Sequence, residues 1–139
     1  MSFLVDTNVI SELRKGPRAD AGVRAWMAAT PASSLWTSVL VLGELRRGVE
    51  AIRRRDPSSA ESLSRWLEAQ ADALRDRTLA VDADVADRWG RLDVPVPLPT
   101  VDGLLAATAI VHDLTLVTRN TRDVARSGAR VLNPFSGPT

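Results

Sequence analysis

A chain of 139 residues is long enough for one domain with a substantial hydrophobic core and is short for two. Its composition is that of an ordinary globular protein, and a formal net charge of +1 gives no overall attraction for nucleic acid, so any basic surface must be local. The absence of cysteine excludes disulfides, thiolate zinc sites and cysteine nucleophiles, and the single histidine, His112, excludes histidine-rich metal sites, which leaves carboxylate chemistry.

Short apolar runs alternate along the chain with longer helical segments, a pattern typical of an α/β domain built on a parallel sheet. In chain order it predicts a strand over 3–5, helices over 7–14 and 19–29, a strand over 35–37, helices over 38–55 and 59–76 with a turn at 56–58, a strand over 79–81 and a helix over 82–92. It then predicts an irregular loop over 93–100, a helix over 101–111, a strand over 114–118, a helix over 120–126 and a strand over 129–132. We expect a single domain over 1–139, with right-handed crossovers between its parallel strands.

The two helices predicted within 38–76 would pack against each other as an antiparallel helical arm. Apolar residues recur in them at intervals of three and four. The C-terminal half of the first helix carries Arg46, Arg47, Arg53, Arg54 and Arg55. These arginines suit the negative end of the helix dipole, and they could also follow the phosphates of a nucleic acid.

Three acids stand at positions where an apolar pattern would usually continue. Asp6 directly follows the first strand, and Glu44 and Asp102 are set into apolar helical runs. Each acid has an ordinary structural explanation when it is taken alone. Asp6 could cap the next helix, Asp102 could favour the helix dipole in a first turn capped by Thr100, and Glu44 could face solvent.

Taken together, the three acids belong to elements whose ends should meet at the C-terminal edge of one parallel sheet, where α/β proteins bind ligands. Carboxylates that converge at such an edge repel one another unless a cation lies between them. Oxygen ligands without histidine or cysteine favour hard ions, so we expect Mg²⁺, with Mn²⁺ as an alternative. Such an ion activates water and stabilises charge on a phosphate, which makes metal-assisted phosphodiester hydrolysis the predicted class of reaction.

Four segments resemble, in the same order, the successive motifs of a PIN domain. They are Asp6-Thr7-Asn8, the segment from Ser38 to Glu44-Leu45, Asp102-Gly103-Leu104-Leu105-Ala106-Ala107-Thr108-Ala109, and Leu116-Val117-Thr118-Arg119-Asn120. The segment Leu132-Asn133-Pro134-Phe135 is similar to the end of VapC and FitB type toxins. The resemblance covers essentially the whole chain, and the ordered set is more specific than any single motif.

The resemblance implies a three-layer α/β/α fold with a central parallel sheet and the activity of a Mg²⁺-dependent ribonuclease. Proteins of this type are usually toxins of type II toxin-antitoxin pairs and are commonly homodimers. A cognate VapB-like antitoxin inhibits them, and the helical arm would form part of the groove that receives its peptide. By position in the motifs, Asp6, Glu44 and Asp102 would be the catalytic, metal-binding carboxylates, with Thr7, Ser38 and Thr118 as polar supports.

The PIN pattern usually has a fourth acid two residues after Thr118, and this chain has Asn120 there. Asparagine can still bind a metal through its carbonyl oxygen, but it lowers the charge of the site and puts a second metal in question. Asp123 is the other candidate for a fourth acid, although we expect it to pair with Asn120 in an arrangement close to a capping box. Arg119 and Arg122 flank this position and are candidates to contact the RNA backbone.

Two other enzyme classes that place an acid after a strand fail on particular residues. A haloacid dehalogenase type phosphatase requires a second aspartate where Asn8 stands, and a receiver domain requires a late lysine, whereas the single lysine is Lys15. A PIN protein of weak activity that mainly binds a DNA-binding antitoxin stays open, because Asn120 departs from the acidic pattern. We expect a cytoplasmic protein, since the sequence shows neither a signal peptide pattern nor an apolar run of membrane-spanning length.

Overall fold

The computed structural model describes residues 1–92 and 96–136, and a five-stranded sheet forms its centre. The strands are β1 (Phe3–Val5), β2 (Leu35–Ser38), β3 (Thr78–Leu79), β4 (Thr115–Val117) and β5 (Val131–Leu132). The helices are α1 (Thr7–Leu13), α2 (Ala21–Ala29), α3 (Val39–Arg53), α4 (Pro57–Ala73), α5 (Ala83–Gly90), α6 (Thr100–Val111) and α7 (Thr121–Ala125). Every neighbouring pair of strands is parallel, which confirms the predicted α/β fold with a central parallel sheet.

The strands lie side by side in the order β3-β2-β1-β4-β5. From β1 the chain moves outward to β2 and β3, and it then returns to place β4 on the other side of β1. Right-handed crossovers put α1–α4 on one face of the sheet and α5–α7 on the other, and the main contacts between helices fall within these two groups. The direction of the connections reverses between β1 and β4, which is the topological switch point where open α/β sheets bind ligands.

The core is centred on the two middle strands and is covered by helices on both faces. Leu4 of β1 and Leu116 of β4 are partners in the strand register, and both are almost completely buried. On one face α6 contributes six buried residues, among them Leu105. Strands buried on both faces appear in a sequence as uninterrupted apolar runs, which is why β1 and β4 were recognisable from sequence.

The helical arm consists of α3 and α4, and two arginines of α3 connect the two helices. Arg53 Nη1 lies 2.9 Å from Glu61 Oε2 of α4, and Arg53 Nε lies 3.0 Å from Glu50 Oε1 of its own helix. Arg46 donates a hydrogen bond of 3.0 Å to Ser64 Oγ of α4. Arg46 and Arg53 therefore hold the arm together, so an interaction with nucleic acid is not needed to explain them, and Arg54 and Arg55 follow the end of α3.

The beginning of α4 and the position of β3 differ from the prediction. The predicted turn at 56–58 is wrong, because α4 begins at Pro57 and Asp56 accepts a hydrogen bond of 3.1 Å from the Ser59 N–H. Proline favours the first position of a helix, where its fixed φ fits and its missing N–H costs nothing. The strand predicted over 79–81 lies at Thr78–Leu79, since it pairs only with the last two residues of β2.

The beginning of α6 also differs from the prediction. The helix starts at Thr100, so Thr100 does not cap it, and the N-cap residue Pro99 makes no side-chain hydrogen bond. The preceding stretch 96–99 is irregular, as expected for a proline-rich loop, and the rest of that predicted loop at 93–95 lies outside the described residues. Within the described part of the chain, no helix has the length and apolar character needed to cross a membrane.

Candidate active site

Asp6 follows β1 at the switch point and is buried, with 7% of its surface exposed. It caps α1, as its ordinary structural explanation required, since its carboxylate accepts a hydrogen bond of 2.7 Å from the Thr7 N–H. The same carboxylate accepts a hydrogen bond of 2.8 Å from Thr118 Oγ1. Burial raises the pKa of Asp6, the two hydrogen bonds oppose that rise, and the charges of Glu44 and Asp102 add to it.

Glu44 reaches the same edge of the sheet from α3 and is partly buried. Thr7 Oγ1 donates a hydrogen bond of 2.6 Å to Glu44 Oε1, which connects the start of α1 to α3. Ser38 is fully buried at the N-cap of α3, where its hydroxyl accepts a hydrogen bond of 3.1 Å from the Leu40 N–H. Of the predicted polar supports, Thr7 therefore contacts an acid directly, and Ser38 stabilises the helix that carries that acid.

Asp102 approaches from the opposite face of the sheet, in the first turn of α6. Burial raises the pKa of Asp102, and repulsion by Glu44 and Asp123 raises it further, whereas a hydrogen bond from Asn120 lowers it. The negative charge of Glu44 thus helps to raise the pKa of both Asp102 and Asp6. The charges of the three acids named from the sequence thus act on one another, and we call Asp6, Glu44 and Asp102 the acid cluster.

The capping arrangement predicted between Asn120 and Asp123 is absent from the described structure. Asn120 is the N-cap residue of α7, but its side chain makes no capping hydrogen bond. Its ψ of 60° lies outside the extended region that N-cap residues normally adopt. Asn120 Nδ2 instead lies 3.4 Å from Asp102 Oδ2, and Asp123 accepts a hydrogen bond of 3.1 Å from Arg126. Asn120 therefore borders the acid cluster, and Asp123 acts on it only through its charge.

Thr118 is the centre of a hydrogen-bond network that joins the ends of β1 and β4. Besides donating to Asp6, Thr118 Oγ1 accepts hydrogen bonds of 3.1 Å from the Asn120 N–H and from Asn8 Nδ2. Asn8 Oδ1 accepts a further hydrogen bond of 3.1 Å from the Arg119 N–H. No role in the site was predicted for Asn8, although its position two residues after the first acid was an available signal.

The two arginines expected to contact RNA have different surroundings. Arg119 is exposed, and its guanidinium carbon lies 4.0 Å from the centre of the Phe135 ring. Arg122 is exposed on α7. Only Arg119 is connected to the acid cluster by a described hydrogen bond, through its backbone N–H and Asn8.

The donors of the acid cluster suit a hard divalent cation in their chemistry. Among residues 1–92 and 96–136, no group of three or more His, Cys, Asp or Glu side chains lies close enough together to hold a metal ion. Burial is the main cause of the raised pKa values of Asp6 and Asp102, and repulsion between the carboxylates raises them further. Asp6, Glu44 and Asp102 are the residues that would hold a divalent cation, which would offset this repulsion and which, if it were Mg²⁺, would keep several of its water ligands.

A groove of about 240 Å³ lies between α1 and the helical arm and reaches the acid cluster at Glu44. Its lining residues are Thr7, Ser11, Arg14, Glu44, Leu45, Gly48, Val49, Ile52, Leu63 and Trp66. A larger cavity of about 410 Å³ is lined by residues that include His112 and Asp113, and none of the three acids lines it. The groove, and not the larger cavity, therefore adjoins the candidate site.

Nearly the whole chain is similar to known proteins of one kind. The family model of the PIN domain matches residues 3–128. The chain is 32% identical to VapC ribonuclease Y4jK of Sinorhizobium fredii, over 96% of this chain and 97% of that protein. It is 30% identical to toxin FitB of Neisseria gonorrhoeae, over 96% of this chain and 98% of that protein. A solved structure of FitAB bound to an IR36 DNA fragment matches the fold with a TM-score of 0.88 and 26% identity, over 99% of this chain and 98% of that chain.

Proposed function

Because the chain belongs to the PIN domain family, we propose that it is the endoribonuclease toxin of a VapBC-type toxin-antitoxin pair. In this proposal it hydrolyses RNA phosphodiester bonds with a divalent cation, which is Mg²⁺ in the first place and Mn²⁺ as an alternative. The single observation that carries the proposal is the acid cluster at the switch point between β1 and β4. The relatives that match almost the whole chain include a VapC ribonuclease, which supports the same activity.

The residues of the acid cluster have separate roles in the proposed reaction. Asp6, Glu44 and Asp102 would hold the cation, which when bound supplies activation of water and stabilises charge on the scissile phosphate. Thr118 donates to the Asp6 carboxylate and so favours the ionised form that binds a cation. Asn120 presents an amide beside Asp102, where it limits the negative charge of the site.

The partner in this proposal is a VapB-like antitoxin that inserts a peptide into the groove between α1 and the helical arm. The groove offers Leu45, Ile52 and Trp66 to apolar side chains of a helix or extended peptide. Because Glu44 and Thr7 line the same groove, a peptide bound in it would cover part of the acid cluster. A homodimer and a cytoplasmic location, where RNA is encountered, complete the proposal.

The experiment that tests the proposal is RNA cleavage by the purified chain, free of antitoxin, in Mg²⁺, in Mn²⁺ or in EDTA. We would compare wild type with Asp102→Asn and with Asp113→Asn. The second variant is a matched control, because Asp113 lies outside the cluster with a φ of 55°, which asparagine tolerates. We expect metal-dependent cleavage by wild type and by the control, and none by Asp102→Asn. Cleavage that continues in EDTA or in Asp102→Asn contradicts the proposal.

The presence of Asn120 where the family pattern has an acid favours one second candidate function. This is a PIN protein of weak activity that acts mainly as the binding partner of a DNA-binding antitoxin. It differs from the nuclease in one measurable result, which is calorimetric binding of Mg²⁺ or Mn²⁺ without cleavage of any RNA pool. Restoration of cleavage by Asn120→Asp would then identify the missing acid as the cause.

Replacing Thr118 by valine should slow cleavage, because it removes the hydroxyl that donates to Asp6. Valine keeps the shape of the side chain, so packing should be little changed. Asp6 loses a hydrogen bond that lowers its pKa, so the pKa that burial already raises goes higher still. We expect kcat/KM near pH 7 to fall by about 10- to 100-fold, as for groups that orient metal ligands. The acid limb of the pH-rate profile, measured between about pH 5 and 9, should move to higher pH. An acid limb identical to that of wild type would show that this hydroxyl does not tune Asp6.

Removing divalent metal with a chelator should leave the fold intact, because apolar side chains on both faces of the sheet form the core. Adding Mg²⁺ should raise the melting temperature, since it offsets repulsion within the acid cluster. The folded-state pKa values of Asp6 and Asp102 lie above the ordinary 3.8, so the stability these groups contribute is present at low pH and is lost as pH rises through those values.

The increase in melting temperature produced by Mg²⁺ should therefore shrink as the pH is lowered toward about 4. Differential scanning calorimetry in EDTA and in Mg²⁺, at several pH values, measures both effects. A chain that melts without a cooperative transition in EDTA would show that the metal is structural and that this prediction is wrong.

A further inference from the structure

Arg119 occupies an exposed position directly after β4, beside the acid cluster. Its backbone N–H donates a hydrogen bond of 3.1 Å to Asn8 Oδ1, and Asn8 also donates to Thr118 Oγ1 at 3.1 Å. Because Thr118 contacts the carboxylate of Asp6, the main chain of Arg119 belongs to the same rigid network as the first acid. The backbone position from which this side chain extends is therefore fixed relative to the acid cluster.

The guanidinium group of Arg119 is also held, by the aromatic ring of Phe135 at 4.0 Å. A guanidinium that stacks on an aromatic ring uses one of its faces, and its N–H donors point outward in its own plane. Those donors remain available for the oxygen atoms of a phosphate, which the planar fork of arginine matches. The stacking thus orders a long side chain without neutralising its charge.

Phe135 is itself fixed by the segment in which it lies. Ser136 donates from its N–H and its hydroxyl to the two carboxylate oxygens of Asp20, both at 2.9 Å. The segment passes so close to α2 that a Cβ added at Gly22 would clash with the carbonyl oxygen of Pro134. The segment 133–136, which we call the C-terminal clamp, is therefore anchored to the beginning of α2.

The charge of Arg119 helps to lower the pKa of Glu12, but the two side chains form no ion pair. The Glu12 carboxylate instead contacts Lys15 Nζ at 3.0 Å and accepts a hydrogen bond of 2.9 Å from the Asp20 N–H. The later arginines Arg126 and Arg130 form ion pairs with Asp123 and Asp113. In the described ranges, no carboxylate oxygen lies within 4.0 Å of the Arg119 guanidinium nitrogens, so ordering of this arginine does not come from an ion pair.

We propose that Arg119, held in place by Phe135 of the C-terminal clamp, forms a binding subsite for a phosphate of the RNA strand that flanks the acid cluster. The inference rests on the proposed function, since it assigns a second contact to the substrate of that reaction. Arg119 binds the phosphate, and Phe135 is a positioning residue that acts through Arg119. Ordering the arginine before RNA arrives lowers the entropy that binding has to overcome.

The test compares Arg119→Gln, Phe135→Leu, Phe135→Tyr and the double variant of Arg119→Gln with Phe135→Leu. Arg130→Gln is the matched control, because it removes the same charge from an arginine that pairs with Asp113. The kinetic readouts are KM and kcat for cleavage of a mixed-sequence single-stranded RNA. The binding readout is the salt dependence of anisotropy for the same labelled RNA in the Asp102→Asn background. Melting temperatures show that every variant is folded.

We expect Arg119→Gln to raise KM by about 5- to 10-fold with kcat nearly unchanged. The slope of log affinity against log salt should fall by about 0.7, the value for one phosphate contact of a single strand. Phe135→Leu should raise KM by about 2- to 5-fold, and Phe135→Tyr should restore the wild-type KM. In the Arg119→Gln background, Phe135→Leu should have no further effect on KM.

Several results would overturn the subsite. If Phe135→Leu changed KM equally with and without Arg119, Phe135 would be merely structural, and its positioning role would be wrong. If wild type cleaved RNA and Arg119→Gln left both KM and the salt slope unchanged, the phosphate subsite would be wrong and the nuclease proposal would stand. If wild type neither bound nor cleaved the RNA, both proposals would be wrong.

Discussion

Asp6→Asn is expected to lower the rate of metal-dependent RNA cleavage by more than about 100-fold, the upper end of what is lost when only a supporting group of a metal site is removed. Only 7% of the surface of Asp6 is exposed, so solvent screens its charge only weakly. Its carboxylate belongs to the acid cluster at the switch point. Asparagine keeps the size of the side chain and loses the negative charge that attracts a cation.

The fold should tolerate this substitution, which separates a role in catalysis from a role in structure. An asparagine Oδ1 accepts the capping hydrogen bond from the Thr7 N–H as an aspartate does, and removing a buried charge relieves repulsion by Glu44 and Asp102. We therefore expect cooperative melting at or above the temperature of wild type. Initial rates of RNA cleavage in Mg²⁺ and calorimetric melting of the same preparation measure both quantities. A variant that cleaves at the rate of wild type would remove Asp6 from the site.

Leu4→Ala is expected to reduce the free energy of unfolding by about 2 to 5 kcal/mol, the usual range for a leucine removed from a core. Leu4 has no exposed surface and lies in β1, between its register partners Trp36 of β2 and Leu116 of β4. The neighbouring strands are held by the hydrogen bonds of the sheet and cannot close fully around a smaller side chain. The cavity that remains adds to the lost hydrophobic free energy.

Unfolding in urea, monitored by circular dichroism, gives this free energy and the slope of its dependence on denaturant. Val96→Ala serves as the surface control, because Val96 is 58% exposed and its truncation should change stability by no more than about 0.5 kcal/mol. Equal midpoints for Leu4→Ala and wild type would mean that the centre of the sheet is not the centre of the core.

Element types and their order were largely predictable, because they depend on local patterns. The apolar run before Asp6 and the amphipathic pattern of α3 each identify an element without knowledge of its neighbours. Errors arose where one residue had two local interpretations, as at Pro57, which fits a turn and equally fits the first position of a helix. Thr100 similarly fits a cap or a first turn.

Within the candidate site, the sequence was informative about the acids and less so about the groups that surround them. An acid in an apolar run is conspicuous, so Asp6, Glu44 and Asp102 could be named directly. Asn120 was expected to cap α7 together with Asp123, because a short polar side chain before a helix usually does so. Its contact with Asp102, 18 positions earlier in the chain, overrides that local preference and has no local signature.

Local sequence patterns were enough to predict a parallel α/β domain with carboxylates at the ends of its elements, because hydrophobic periodicity, helix-breaking residues and isolated charges are local properties. Which elements meet became visible in the folded chain alone. Thr118 donates to Asp6 across 112 positions of sequence, and Phe135 stacks on Arg119, because β4 pairs with β1 and β5 pairs with β4. Strand order arises from contacts between distant segments, each of which is favourable only when the others have formed, so no local pattern specifies it.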